Sequence, residues 1–173
     1  FPVRQGEVVA YAGNTGYSFG PHLHMEIRVT DTNEPIDPLQ FYKDKITDNI
    51  APRATHIMVY GSQSTPSSLR TPIILSTLEL QAHPLYAWGR IGTSISANDY
   101  MDGTTNNYGV RYVRLYVDDH LVSSSDVDRF FFEENRLINS WTDYAEQHRS
   151  GRWYMRSTIA ENNELRMLHA DAH

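Results

Sequence analysis

The stretch Gly20-Pro-His-Leu-His-Met-Glu26 decides how this chain is read. It follows a turn-rich segment, Gly13-Asn-Thr-Gly-Tyr-Ser-Phe-Gly20, and runs on into Leu23-His-Met-Glu-Ile-Arg-Val29, which reads as a strand. Successive side chains on a strand point to opposite faces, so His22 and His24 project from one face, roughly 6.5–7 Å apart along the backbone. Leu23, Met25 and Ile27 take the other, core-facing side. Two imidazoles placed on one face by a rigid strand can share one metal ion and its bound water. Histidine is the commonest metal ligand, and a zinc site needs three or four such groups. A bare His-x-His is equally compatible with two half-exposed strand histidines that have no role, so the flanking residues carry the decision.

Those flanks are specific. Val3-Arg-Gln-Gly-Glu-Val-Val-Ala-Tyr-Ala-Gly-Asn-Thr-Gly16, then Gly20-Pro-His-Leu-His-Met-Glu-Ile-Arg28, then Pro35-Ile-Asp-Pro-Leu39 occur in order. Together they resemble the C-terminal part of the catalytic domain of lysostaphin-like (LytM-type) zinc metallopeptidases, bacterial enzymes that cut peptidoglycan cross-bridges or stem peptides. The resemblance covers about residues 1–41. It implies that His24 is a zinc ligand and that His22 is an unliganded catalytic histidine. The chemistry suits those roles: zinc lowers the pKa of bound water to about 7 and polarises a carbonyl, while a second histidine handles the proton.

The family draws two further zinc ligands, a His and an Asp, from an upstream H-x-x-x-D motif. Four residues after His22, His56, His83, His120 and His148 stand Glu26, Tyr60, Ala87, Ser124 and Arg152, none of them Asp. The chain is therefore expected to be a fragment, inactive by itself, of an intact metalloendopeptidase.

Composition bounds the rest. The chain has 173 residues, 40% of them apolar and 12% aromatic, enough for one large or two small packed units. A net charge of −6 argues against nucleic-acid binding, which usually shows a basic stripe. No apolar run approaches the length of a membrane-spanning helix. The absence of cysteine removes disulfides and thiolate metal sites, and is compatible with a reducing or an oxidising compartment. The resemblance implies the cell envelope, periplasmic or secreted.

The fold class expected is mainly β, in two units. Residues 1–41 form part of an antiparallel-sheet peptidase domain, with a strand over 7–12, the glycine-rich loop and the histidine strand. Residues 42–55 are polar, end in Ala51-Pro52 and read as a linker. Residues 56–173 read as an immunoglobulin-like β-sandwich, incomplete at its C-terminal end, with one short helix. Its expected strands cover 56–60, 73–80, 87–97, 110–117, 121–124 and 153–159. Asp118-Asp119-His120 is a hairpin turn signal, and residues 139–148, with Ser140 as N-cap, form the helix.

Four further features bear on function. Asp99, Asp102, Gly103 and Asn106 offer oxygen ligands that calcium uses, or simply a turn-rich loop with Asx caps. Phe130-Phe-Phe132 reads as strand core, with a glycan-stacking patch as the alternative. Arg111, Arg114 and Arg129 read as solvated faces, and His169-Ala-Asp-Ala-His173 as a chain-end chelator or a tail without a role.

Three functions remain open at this point. One is a zinc endopeptidase acting on peptidoglycan peptides. Another is a non-catalytic regulator of other wall hydrolases. The third is a cell-wall-binding module whose C-terminal domain leaves room for a protein partner.

Overall fold

The computed structural model describes residues 2–61 and 71–170. The fold is mainly β, as expected, with nine strands among those residues in three antiparallel sheets. The first sheet is a short hairpin, β1 (Ile27–Arg28) with β2 (Pro35–Ile36). After it come α1 (Leu39–Tyr42) and β3 (Arg53–Gly61), so ordered structure enters the 42–55 segment from both sides. Next are β4 (Ile73–Ser76), α2 (Thr77–Ala82), β5 (Ile91–Asn98), β6 (Tyr112–Val117) and β7 (His120–Asp126). A 3-10 helix (Phe132–Leu137), α3 (Ile138–Trp141), α4 (Tyr144–Ser150), β8 (Met155–Arg156) and β9 (Leu168–Ala170) complete the chain. The two larger sheets run β4-β3-β5-β8 and β6-β7-β9.

One apolar cluster draws on both larger sheets. Trp141, Met155, Leu165 and Met167 are buried, and Ile95 and Ala97 of β5 and Val113 of β6 pack against them. Trp141 enters from a helix, not a strand.

Local chemistry explains several elements. Asp118 and Asp119 have φ of 49° and 65°, the paired positive values of a type I′ turn, which matches strand twist and sets the β6–β7 hairpin. The strand expected over 73–80 stops at Ser76. There the Ser76 hydroxyl and the Glu79 carboxylate form a capping box that starts α2. The single helix expected over 139–148 is two: α3 ends at Thr142, and Asp143 caps α4 through the Glu146 N–H at 3.0 Å. Of the strand expected over 87–97, only the part from Ile91 forms, and Trp88 stays exposed. Of 153–159, only Met155–Arg156 pairs.

The N-terminal part departs most from expectation. Residues 7–12 form no strand, and the histidine strand shrinks to an isolated Gly13–His22 bridge followed by β1. Val8, Val9, Tyr11 and Leu23 lie 71–93% exposed, with no apolar surface against them among the described residues. A strand needs a neighbour to satisfy its backbone N–H and C=O groups, and these residues have none among those described.

The hairpin is joined to the segment that follows β7. Ile36 bridges Arg129, the Asp37 N–H donates to the Asp128 carbonyl at 2.7 Å, and the Phe130 N–H donates to Pro35 at 3.3 Å. Glu34 is buried beside Arg129 and Arg166, at 3.7 and 3.9 Å. Arg111 and Arg129, expected as solvated, are thus drawn to carboxylates of the hairpin by charges far away in sequence. Arg114 lies over the Tyr112 ring.

Candidate functional site

The loop before the histidines is fastened by its own polar groups. The Ser18 hydroxyl donates to the Gly20 carbonyl at 2.8 Å and accepts from the Gly20 N–H at 3.3 Å. Gly16 takes φ of +85°, which costs glycine nothing. His22 folds back onto this knot, its Nδ1 lying 2.9 Å from the Gly20 carbonyl and 3.2 Å from the Ser18 oxygen. A carbonyl only accepts, so the network assigns the proton of a neutral His22 to Nδ1. That leaves the Nε2 lone pair free to take a proton.

His24 bonds forward along the chain. Its Nε2 lies 2.7 Å from Glu26 Oε1, and the other carboxylate oxygen accepts from Arg28 Nε at 2.6 Å. A second guanidinium nitrogen of Arg28 also pairs with Glu26. Arg28 donates again to Asn33 Oδ1 at 3.2 Å and lies over the Phe132 ring, 5.1 Å from its centre. The bond from His24, then that from Arg28, holds the Glu26 carboxyl below the usual carboxylate range. With Nε2–H given to the carboxylate, the neutral His24 presents Nδ1 as its free acceptor.

No hydrogen bond joins the two histidines to one another: His22 is tied backward to the loop, His24 forward to Glu26. A cavity of about 1120 Å³ opens beside His24 and Glu26, with Lys43, Tyr108, Arg111 and Phe130 among its lining.

The described residues do not build a zinc site by themselves. Among them no three His, Cys, Asp or Glu side chains cluster as a metal would require, and the Glu26 carboxylate is taken by His24 and Arg28.

The other sequence candidates resolve locally. Asp102 accepts from the backbone and side chain of Asn49, at 2.7 and 3.3 Å, and Asp99 accepts from the Tyr100 N–H at 2.9 Å. These are caps and loop ties. His169 lies on β9, while residues 171–173 of the tail fall outside the described residues. Phe130 and Phe132 are not strand core: they stack edge to face, exposed, where the chain enters the 3-10 helix.

Glu26 and Arg28 are the functional candidates the motif reading passed over. Their signal was the same period of two that aligned His22 with His24. Phe132 had no local signal, since its contact with Arg28 spans most of the chain.

Residues 2–38 match the model of Peptidase family M23. The same region is 49% identical over 37 residues to DD-carboxypeptidase/endopeptidase Mpg of two serogroup B strains of Neisseria meningitidis, and of Neisseria gonorrhoeae. The match takes in 21% of this chain and 8% of each relative, so the chain spans only a small part of the curated relatives' length. No solved structure matches. The likeness to lysostaphin-like peptidases drawn from the motifs is borne out over this stretch.

Proposed function

We propose that the protein containing this chain is a metal-dependent endopeptidase. Its substrate is a peptide bond of bacterial peptidoglycan, in a cross-bridge or a stem peptide, and its place is the cell envelope. Residues 1–41 are the C-terminal part of the peptidase domain, 42–55 a linker, and 56–173 an accessory β-domain. The observation carrying this reading is that the family match over residues 2–38 contains both histidines, and each presents one free ring nitrogen.

In this reading His24 is one metal ligand, through Nδ1, and zinc is the metal. Further donors are needed to complete its coordination, because no three such side chains cluster among the described residues. His22 is the catalytic histidine. Its Nδ1–H is held by the Gly20 carbonyl, which orients the ring and leaves Nε2 to take a proton and later return it. The cavity beside His24 gives the peptide a place to lie.

The test is release of new amino termini from purified peptidoglycan by the full-length gene product. Cleavage is expected, abolished by chelator, restored by zinc and lost in His24→Ala. Cleavage indifferent to chelator and to His24→Ala overturns the reading. Wall binding without cleavage points to a regulator or binding module instead.

A further inference from the structure

His22, His24, Glu26 and Arg28 stand at every second position of the sequence, Arg28 within β1. The last three form a continuous chain of contacts. His24 Nε2 meets Glu26 Oε1 at 2.7 Å, Glu26 Oε2 meets Arg28 Nε at 2.6 Å, and the Arg28 guanidinium lies over the Phe132 ring at 5.1 Å. Phe132 belongs to the second unit and is itself braced edge to face by Phe130, at 5.5 Å between ring centres. Its backbone neighbourhood is pinned to the hairpin by the Phe130 N–H to Pro35 bond and by the Ile36–Arg129 bridge.

We propose that Phe132 is a positioning residue for His24, acting through Arg28 and Glu26, so that the second unit sets the orientation of the histidine. A planar guanidinium has two ways to be held at once: its edge donates in the plane, and its face rests on an aromatic ring. Arg28 uses both, the edge on Glu26 and Asn33, the face on Phe132. Without the ring the guanidinium is free to rotate away from the carboxylate, and the carboxylate then no longer fixes which nitrogen of His24 carries the proton. Outer partners of this kind orient a ligand histidine and fix its tautomer. The use of this orientation in catalysis rests on the peptidase reading; the orientation itself does not.

The experiment is nuclear magnetic resonance of the histidine side chains in the full 173-residue chain, with ring ¹⁵N shifts read in the neutral imidazole form. His24 is expected as the Nε2–H species. Phe132→Leu, which keeps apolar bulk but no ring face, is expected to displace the His24 ¹⁵N shifts toward those of Glu26→Gln. Phe132→Trp, which restores a ring, is expected to return them to the wild-type values. In the Glu26→Gln background, Phe132→Leu is expected to move His24 no further. Unchanged His24 shifts in Phe132→Leu, or an equal displacement in both backgrounds, overturn the proposal. If Phe132→Leu loses the dispersed spectrum of the folded chain, Arg28→Lys replaces it: the charge stays, the planar fork goes, and the same outcomes decide. Hydrolysis is not measured, so this result and the fate of the peptidase reading are separable.

Discussion

Arg111 donates from a terminal nitrogen to Asp37 Oδ2 at 2.8 Å and from Nε to Asp126 Oδ1 at 3.0 Å, tying the segment after β2 to the end of β7. The Asp37 backbone N–H donates in parallel to the Asp128 carbonyl, at 2.7 Å. The hairpin that follows the histidines is therefore fastened to the end of β7 and the segment after it by side chain and main chain together. Arg111 is about a third exposed, which screens the pair. Arg111→Met is expected to cost about 1 kcal/mol and lower Tm by about 2–4 °C for a chain of this size. In thermal melts the double variant with Asp37→Asn should lose less than the two single losses added. Strict additivity would show that the pair contributes nothing.

Glu79 makes the start of α2 sensitive to acid. Its carboxylate accepts from the Ser76 hydroxyl and from the Ser76 N–H, both at 2.7 Å, and these bonds, the hydroxyl first, lower its pKa from 4.5. A depressed carboxyl contributes stability that is fully present above its unfolded-state pKa and is lost as pH falls through the lower, folded one. Hydrogen exchange at the amides of 77–82 should therefore be protected at neutral pH and accelerate as pH drops below about 4.5, after correction for intrinsic rates. Glu79→Gln should flatten that dependence. A profile the same in both proteins would rule the capping box out as its source.

What the sequence disclosed was local. The Asp118-Asp119 turn was readable because paired positive φ values demand such residues. The glycine loop and His-x-His were readable because spacing alone defines them. The extra length given to β4 came from reading Thr77, Leu78 and Leu80 as strand and overlooking Ser76 and Glu79 as caps. The single helix expected over 139–148 missed that Asp143, not Ser140, is the N-cap. Ser140 instead donates to the Leu137 carbonyl at 2.8 Å. Contacts between distant segments leave no trace in local pattern, which is why Arg111 and Arg129 read as solvated faces and Phe132 as strand core.

Gly92 sits opposite Tyr60 in the β3–β5 pairing, and a Cβ there would fall inside van der Waals contact of the Tyr60 ring. The ring covers the glycine, a cross-strand arrangement that also helps hold register. Gly92→Ala is expected to cost about 1–3 kcal/mol through overpacking. In a Tyr60→Ala background the same change should cost much less, as measured by urea denaturation of the four proteins. An equal cost in both backgrounds would place the strain in the backbone instead.

His22 Nδ1 is held by the Gly20 carbonyl at 2.9 Å, so that Nε2 is free for the proton. The most direct measurement is mass spectrometry of the fragments released from peptidoglycan by the full-length protein and by its His22→Ala form, with matched circular dichroism spectra. Loss of a proton-transfer group costs about 10²–10⁴-fold in rate, so product should fall by that factor in the variant. Product formed at the wild-type rate by a folded His22→Ala protein would contradict the account.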